Sequence, residues 1–152
     1  MPKRIIDLSF QLEPGTPVFP DYEPFQVSVL ETTEDPPSKG RRSLNSSRIA
    51  LGLDCGTHMD DPLHFIPGAR TIEEIPLEQC AGPALLIRLP ERARGGLIEP
   101  SALEPHSERL RQVRKVVLDT GWCKKWEQAG YFSEHPLISE AAARFIVAAE
   151  FT

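Results

Sequence analysis

The chain has 152 residues, a length that fits one domain and can bury a hydrophobic core without disulfides or a structural metal. Hydrophobic residues make up 40% and charged residues 26% of the sequence, as in ordinary soluble globular proteins. The formal net charge is -5, and acidic and basic residues are interspersed, which argues against the basic patch typical of nucleic-acid-binding proteins. We therefore expect a single domain over residues 1–152 that binds no nucleic acid.

The cysteines and the N-terminus indicate in which cellular compartment the protein resides. Cys55, Cys80 and Cys123 are odd in number and lack CxxC spacing, which argues against a disulfide framework and favours a reducing environment. The N-terminal residues reach Asp7 and Ser9 too early for the apolar core of a signal peptide. No apolar run approaches the roughly 20 residues that span a bilayer. These features predict a cytoplasmic protein with no membrane contact.

The first part of the chain predicts three strands separated by turns. Many of the 15 prolines of the whole sequence lie where an element would start or stop. Residues 4–10 are the first predicted strand. Residues 25–32 alternate apolar and polar side chains and predict a half-buried strand. A polar loop at residues 34–43 separates it from a third strand at residues 45–53. That strand runs directly into residues 54–64.

The second part mixes short strands with helices. Residues 71–74 resemble a helix-capping signal, limited to about one turn by the proline that follows. Residues 84–89 and 115–119 are apolar enough for buried strands. Residues 99–113 predict a helix that Pro105 weakens at its centre.

Residues 139–149 predict the clearest helix of the chain. Ser139 can cap its N-terminus. Its apolar face consists of four side chains: Ala142, Phe145, Ile146 and Ala149. An α/β unit normally returns from such a helix to another strand, so we expect either a terminal helix or a missing strand.

A cluster of potential metal ligands lies in residues 54–64, here called the ligand segment. In an extended chain His58 and Asp60 share one face, and Asp54 has the same parity. His64 follows four residues after Asp60. Imidazole and carboxylate groups together suit zinc, manganese or iron. Spacing alone leaves a metal site and an ordinary cluster of polar side chains equally open.

The ligand segment resembles the signature H-x-G-T-H-x-D-x-P-x-H of the cyclase family, a family of metal-dependent hydrolases that includes kynurenine formamidases and isatin hydrolases. Residues 56–58, Asp60, Pro62 and His64 match in register, and Asp54 occupies the position of the leading histidine. Further similar segments occur in the family's order: Ile6-Asp7-Leu8-Ser9, residues 14–20, Thr120-Gly121-Trp122 and residues 135–139.

This resemblance implies an α/β fold, the swivelling β/β/α domain of the family, with a mixed sheet and flanking helices. We expect the last C-terminal segment of that fold, which carries a further histidine and glutamate in the family, to be absent from these 152 residues. The implied partners are a small-molecule amide substrate and further copies of the chain in a homo-oligomer.

The resemblance also implies an activity and its residues. Family members hydrolyse amide-type C–N bonds in aryl-formyl or cyclic substrates with a divalent metal, zinc in the first place or manganese. Carried over to this chain, Asp54, His58 and Asp60 would bind the metal and His64 would act as general acid and base.

Other features complete these expectations. Phe19 and Trp122 are candidates for binding an aromatic substrate, Gly56 would leave room beside the ion, and Cys55 is expected to be a bystander. Two alternatives stay open. The chain could be a non-catalytic, vestigial member with an incomplete metal site, or a neighbouring subunit could complete the site.

Overall fold

The chain divides into two compact units, residues 1–72 and residues 73–152, here called the first and the second unit. The computed structural model describes residues 4–36, 42–89 and 95–150. The predicted polar loop of residues 34–43 therefore lies partly outside the described residues. Each unit has its own internal contacts, and the expectation of a single domain stays a prediction.

The first unit contains an antiparallel pair of strands, β1 (Gln26–Glu31) and β2 (Ser46–Ala50). Their register pairs Val27 with Ile49, and the pairing shifts between Val29 and Glu31. Both strands were expected from the sequence, the first of them from the alternation of its side chains, and their existence is confirmed. The expected half-burial is wrong, since Val27 and Val29 are 42% and 67% exposed. A two-stranded sheet buries little side-chain surface unless another layer packs on it.

The strand predicted at residues 4–10 is also wrong, because no regular strand forms there. The backbone N–H and the hydroxyl of Ser9 both donate to the Asp7 carboxylate, at 2.9 and 2.5 Å. Local bonds of this kind compete with the ladder of a sheet. They also hold the pKa of Asp7 below its usual range. The apolar side chains alone, such as Ile5 at 96% exposed, did not define an element.

The second unit contains parallel strand pairs. Its described strands are β3 (Leu85–Arg88), β4 (Leu97–Ile98), β5 (Val116–Asp119) and β6 (Leu137–Ile138). β3 pairs with β5, and β4 pairs with β6. The first pair confirms that both predicted strands exist. The predicted burial holds for Leu85 and Ile87 of β3 but not for β5, where Val117 is 51% exposed. The second pair was not predicted, because two residues are too few to show a period.

The helices of the second unit are α1 (Leu77–Cys80), α2 (Ser107–Leu110) and α3 (Glu140–Glu150). The continuous helix predicted over residues 99–113 is wrong. Two 3₁₀ turns, Pro100–Ala102 and Glu104–His106, precede α2 instead. Proline lacks the N–H and clashes with the preceding turn, so Pro105 breaks the helix rather than weakening it. A 3₁₀ turn at Ile72–Glu74 confirms the single turn expected there.

Helix α3 begins as the sequence predicts and covers the core of the second unit. The Ser139 hydroxyl accepts the backbone N–H of Ala142 at 3.1 Å. The predicted apolar face of α3 packs against buried side chains from the strands and turns. This core comprises Leu85, Ile87, Leu89, Ile98, Leu103, Leu110 and Ala142. Burial of that apolar surface is the main force that holds the second unit together.

Among the residues that the structure describes, parallel and antiparallel pairing both occur, in three two-stranded sheets, together with short helices. The α/β class predicted from the sequence is therefore confirmed. Within the described ranges, no helix has the length and apolar character needed to cross a membrane.

Candidate metal centre

The ligand segment follows β2 and is irregular, with its shape set by one glycine. Gly56 has a φ of +73°, in the left-handed region that favours glycine. A Cβ atom at this position would lie 2.5 Å from Cδ2 of Leu12. The missing side chain therefore makes room for Leu12 of the same unit, a close approach that the sequence did not reveal.

The backbone of Gly56 also orients His58. The Nδ1 atom of His58 lies 2.9 Å from the Gly56 carbonyl oxygen. Because a carbonyl only accepts hydrogen bonds, Nδ1 carries the proton and donates it. In the neutral ring Nε2 is then an acceptor. Fixing the tautomer of a histidine through its second nitrogen is the arrangement that metal-binding histidines use.

The Nε2 atom of His58 faces two carboxylates. It lies 3.3 Å from Oδ1 of Asp60 and 3.8 Å from Oδ1 of Asp54. One ligand atom from each of these three residues lies within 4.8 Å of the others, which no other group of His, Cys, Asp and Glu in the described ranges repeats. Three acceptors this close can share one cation. The donor set of two oxygens and one imidazole nitrogen fits a divalent metal.

His64 lies at the edge of this cluster. Its Nδ1 atom is 4.0 Å from Oδ1 of Asp54. The ring contacts Phe65 edge to face, with centroids 4.4 Å apart. His64 therefore shares the carboxylate of Asp54 with His58 but lies beyond hydrogen-bonding distance of it.

Asp61 holds the backbone that carries His64. Its Oδ1 atom accepts the backbone N–H of His64 at 2.9 Å and caps the 3₁₀ turn Pro62–His64. Pro62 occupies the first position of the turn, where a missing N–H costs nothing. The sequence analysis missed this role. The order Asp-Pro-x-His is a helix-start pattern that could have revealed it.

The cluster opens into a depression of about 410 Å³ within the first unit. It is lined by Leu53, Asp54, His58, Met59, Asp60, Asp61, Leu63, His64 and Ile72. The side chains of the four predicted site residues are 30–45% exposed. Polar ligands thus line one part of an accessible, otherwise apolar surface, where an ion and a small molecule could both reach them.

The two predicted substrate-binding aromatics have other contacts. Phe19 packs against Tyr22, with ring centroids 5.4 Å apart, and does not line the depression. Trp122 belongs to the second unit, where its Nε1–H donates to the Tyr131 carbonyl at 2.9 Å. Burial raises the pKa of Tyr131, with a smaller Coulombic contribution from Cys123. Their roles in substrate binding stay predictions.

Cys55 is buried, at 5% exposed, although it lies between site residues in sequence. It does not line the depression. This placement fits the expected bystander rather than a nucleophile, which would have to reach a substrate.

Known proteins have sequences similar to this chain. The family model described as "Putative cyclase" matches residues 6–152. A kynurenine formamidase from Bordetella petrii is 36% identical over 109 residues, which cover 71% of this chain and 48% of the relative. A kynurenine formamidase from Paracidovorax citrulli is 33% identical over 86 residues, which cover 57% of this chain and 38% of the relative.

The fold also has a counterpart among solved structures. Isatin hydrolase A from Labrenzia aggregata, bound to benzyl benzoate, matches with a TM-score of 0.75 over 95% of this chain and 63% of its own. At 21% identity this match establishes the fold alone, and it confirms the predicted fold class. The chain spans about half the length of the curated relatives it matches. Because the family model covers nearly all of its residues, the chain belongs to the cyclase family.

Proposed function

We propose that this chain carries the metal-binding part of a hydrolase that cleaves amide C–N bonds, similar to a kynurenine formamidase or a cyclic-amide hydrolase. The observation that carries the proposal is the orientation of His58, whose Nε2 atom faces the carboxylates of Asp54 and Asp60. Family membership and relatives named kynurenine formamidase support the same reaction class.

The proposed ligands are Asp54, His58 and Asp60, which would hold zinc or manganese. A divalent cation bound there supplies Lewis-acid chemistry, the activation of water and the polarisation of an amide carbonyl. The carboxylates of Asp54 and Asp60 supply the negative charge that keeps a cation in this open site. The hydrogen bond to Gly56 keeps the imidazole of His58 in the tautomer that leaves Nε2 free to bind.

His64 is the proposed proton carrier. It lies beside the cluster without being one of the three grouped ligands, so its ring is free to exchange a proton with the reacting groups. It would take a proton from the attacking water and give one to the leaving amine. Asp61 and Pro62 fix the turn that places this ring, so the proton carrier is held by backbone contacts rather than by the ligands.

The test uses the purified chain loaded with zinc or manganese and an N-formyl aryl amine as substrate. We expect hydrolysis, and we expect His64→Ala to lower kcat at least about 100-fold while metal content stays unchanged, because general acid–base catalysis contributes about 10²–10⁴-fold. His106→Ala is the matched control, since His106 lies in a 3₁₀ turn of the second unit. A protein that holds no metal after supplementation would contradict the proposal.

The second candidate is a family member that binds metal without turnover. It is favoured by one observation: in the described part of the chain the cluster offers three ligand residues, and all are partly exposed. An ion held by three ligands keeps open positions and is bound less tightly. If elemental analysis of the purified chain finds bound metal, but the chain hydrolyses no N-formyl or cyclic amide, this alternative is selected over the first.

A further inference from the structure

The cluster of Asp54, His58 and Asp60 presents two carboxylate oxygens for each imidazole nitrogen. We infer that Asp54 narrows the preference of the site for zinc over manganese. The inference rests on the proposed function, since it concerns the metal of the same site.

The geometry assigns this part to Asp54 rather than to the neighbouring Asp61. Oδ1 of Asp54 lies between the two histidines, 3.8 Å from Nε2 of His58 and 4.0 Å from Nδ1 of His64. The carboxylate of Asp61 faces the same depression but accepts the backbone N–H of His64 at 2.9 Å. The carboxylate of Asp54 is therefore available as a ligand of the cluster alongside that of Asp60, whereas one oxygen of Asp61 is used by the backbone.

The chemistry of the donors gives the direction of the effect. Carboxylate oxygens suit manganese and magnesium, whereas imidazole nitrogen suits zinc. Zinc still binds more tightly than manganese at almost any site of oxygen and nitrogen donors. The donor set therefore changes how much tighter zinc binds, not which ion binds more tightly. The negative charge of Asp54 attracts both ions alike, because both carry two charges at similar distances. Donor type and charge can therefore be separated by substitution.

The experiment measures the zinc and manganese dissociation constants of the metal-free chain. Manganese binding is followed by the loss of the electron paramagnetic resonance signal of the free ion, and zinc binding by competition with a chromophoric chelator. Asp54→His replaces an oxygen donor by a nitrogen donor. It is expected to raise the ratio of zinc affinity to manganese affinity, here called the ratio, at least about tenfold. Asp54→Asn keeps an oxygen but removes the charge, so both affinities fall while the ratio stays within about threefold.

Two further variants test the donor type and the charge independently of Asp54. His58→Asp removes the imidazole nitrogen from the cluster and is expected to narrow the ratio below that of the unmodified chain. Asp61→Asn removes a charge from the same depression while keeping the cap of the turn, and its ratio is expected to stay unchanged. Far-UV circular dichroism of each variant identifies any that do not fold.

The outcomes separate this inference from the proposed function. If Asp54→His and Asp54→Asn leave the same ratio, Asp54 acts through its charge and the inference is overturned. If that happens while the unmodified chain binds metal and hydrolyses an N-formyl aryl amine, the proposed function still stands. If the unmodified chain binds neither ion, both are overturned.

Discussion

Gly56 affects the local structure of the ligand segment in three ways. Its left-handed φ turns the chain, its missing Cβ admits Leu12, and its carbonyl fixes the tautomer of His58. A glycine in the family signature could be recognised from the sequence, but these reasons for it could not. The close approach depends on Leu12, which lies more than forty residues away in the chain, and the other two depend on the local backbone conformation.

We predict that Gly56→Ala lowers both stability and metal affinity. A non-glycine residue in the left-handed region costs about 1–2 kcal/mol. The overlap is with Cδ2 of Leu12, at the far end of a side chain that is 38% exposed and can turn away, so it adds a smaller steric cost. The strained backbone at this position shifts the carbonyl that holds His58, which lowers metal affinity. Urea unfolding followed by circular dichroism measures the first effect, and metal titration measures the second.

Gly68→Ala is the matched control for this prediction. Gly68 has a similar φ of +75°, but a Cβ there would meet no atom within 4 Å. Its substitution carries the backbone cost without the overlap and does not shift the carbonyl that holds His58, so metal affinity should stay unchanged. Equal losses of stability and metal affinity in both variants would contradict the role given to Leu12 and the Gly56 carbonyl.

Asp61 carries the second prediction at the scale of single residues. Asp61→Ala removes the cap of the turn Pro62–His64 and is expected to lower the free energy of unfolding by about 1 kcal/mol. Asp61→Asn should lose only a few tenths of a kcal/mol, because asparagine caps as well as aspartate. The comparison is made by urea unfolding. An Asn variant as unstable as the Ala variant would show that charge, not the hydrogen bond, matters there.

Among the secondary-structure elements, helix α3 offers the most direct test of a contact predicted from the sequence. Ser139→Ala leaves the N–H of Ala142 without its side-chain acceptor and should lower the free energy of unfolding by about 1 kcal/mol. Ser139→Asp should restore it. Ser101→Ala is the control, since Ser101 is an exposed serine in a 3₁₀ turn. Thermal denaturation that responds equally to both alanine variants would contradict the capping role.

The elements show which kinds of signal the sequence carries. Strands β3 and β5 were predictable as short apolar runs, and helix α3 from its helical period, because each of these elements packs apolar side chains against one core. The exposed segment at residues 4–10 also contains apolar residues, but it forms no strand. Hydrogen bonds from Ser9 to the Asp7 carboxylate shape its backbone instead. Strands β4 and β6 are fixed by pairing with each other, which no local pattern contains.

For the molecule as a whole, core and candidate site are in different units. The buried cluster that includes Ile87 and Leu103 belongs to the second unit. The ligand segment belongs to the first unit, whose strands are largely exposed. The spacing of Asp54, His58 and Asp60 predicted their grouping, because these residues are close in sequence. The position of His64 was not predicted in the same way, because it depends on the cap at Asp61, a helix-start pattern that the sequence analysis missed.

This division leads to a prediction for metal removal. A ligand that binds only the folded state stabilises it by RT ln(1 + [L]/Kd), or about 2.7 kcal/mol at 100 times the Kd. For a chain of this size that corresponds to a rise in Tm of about 5–10 °C. Zinc should therefore raise the Tm measured by far-UV circular dichroism, and a chelator should reverse the rise. Asp60→Asn should reduce the rise, because it removes one charged ligand of the cluster.

Tryptophan fluorescence extends this measurement to the second unit. Both tryptophans of the chain, Trp122 and Trp126, lie there, whereas the proposed ligands lie in the first unit. If the 152 residues unfold as one cooperative domain, as their length predicts, zinc raises the fluorescence Tm as much as the circular dichroism Tm. If zinc raises the Tm measured by circular dichroism but leaves the fluorescence Tm unchanged, the two units unfold separately. The metal would then stabilise only the unit that binds it.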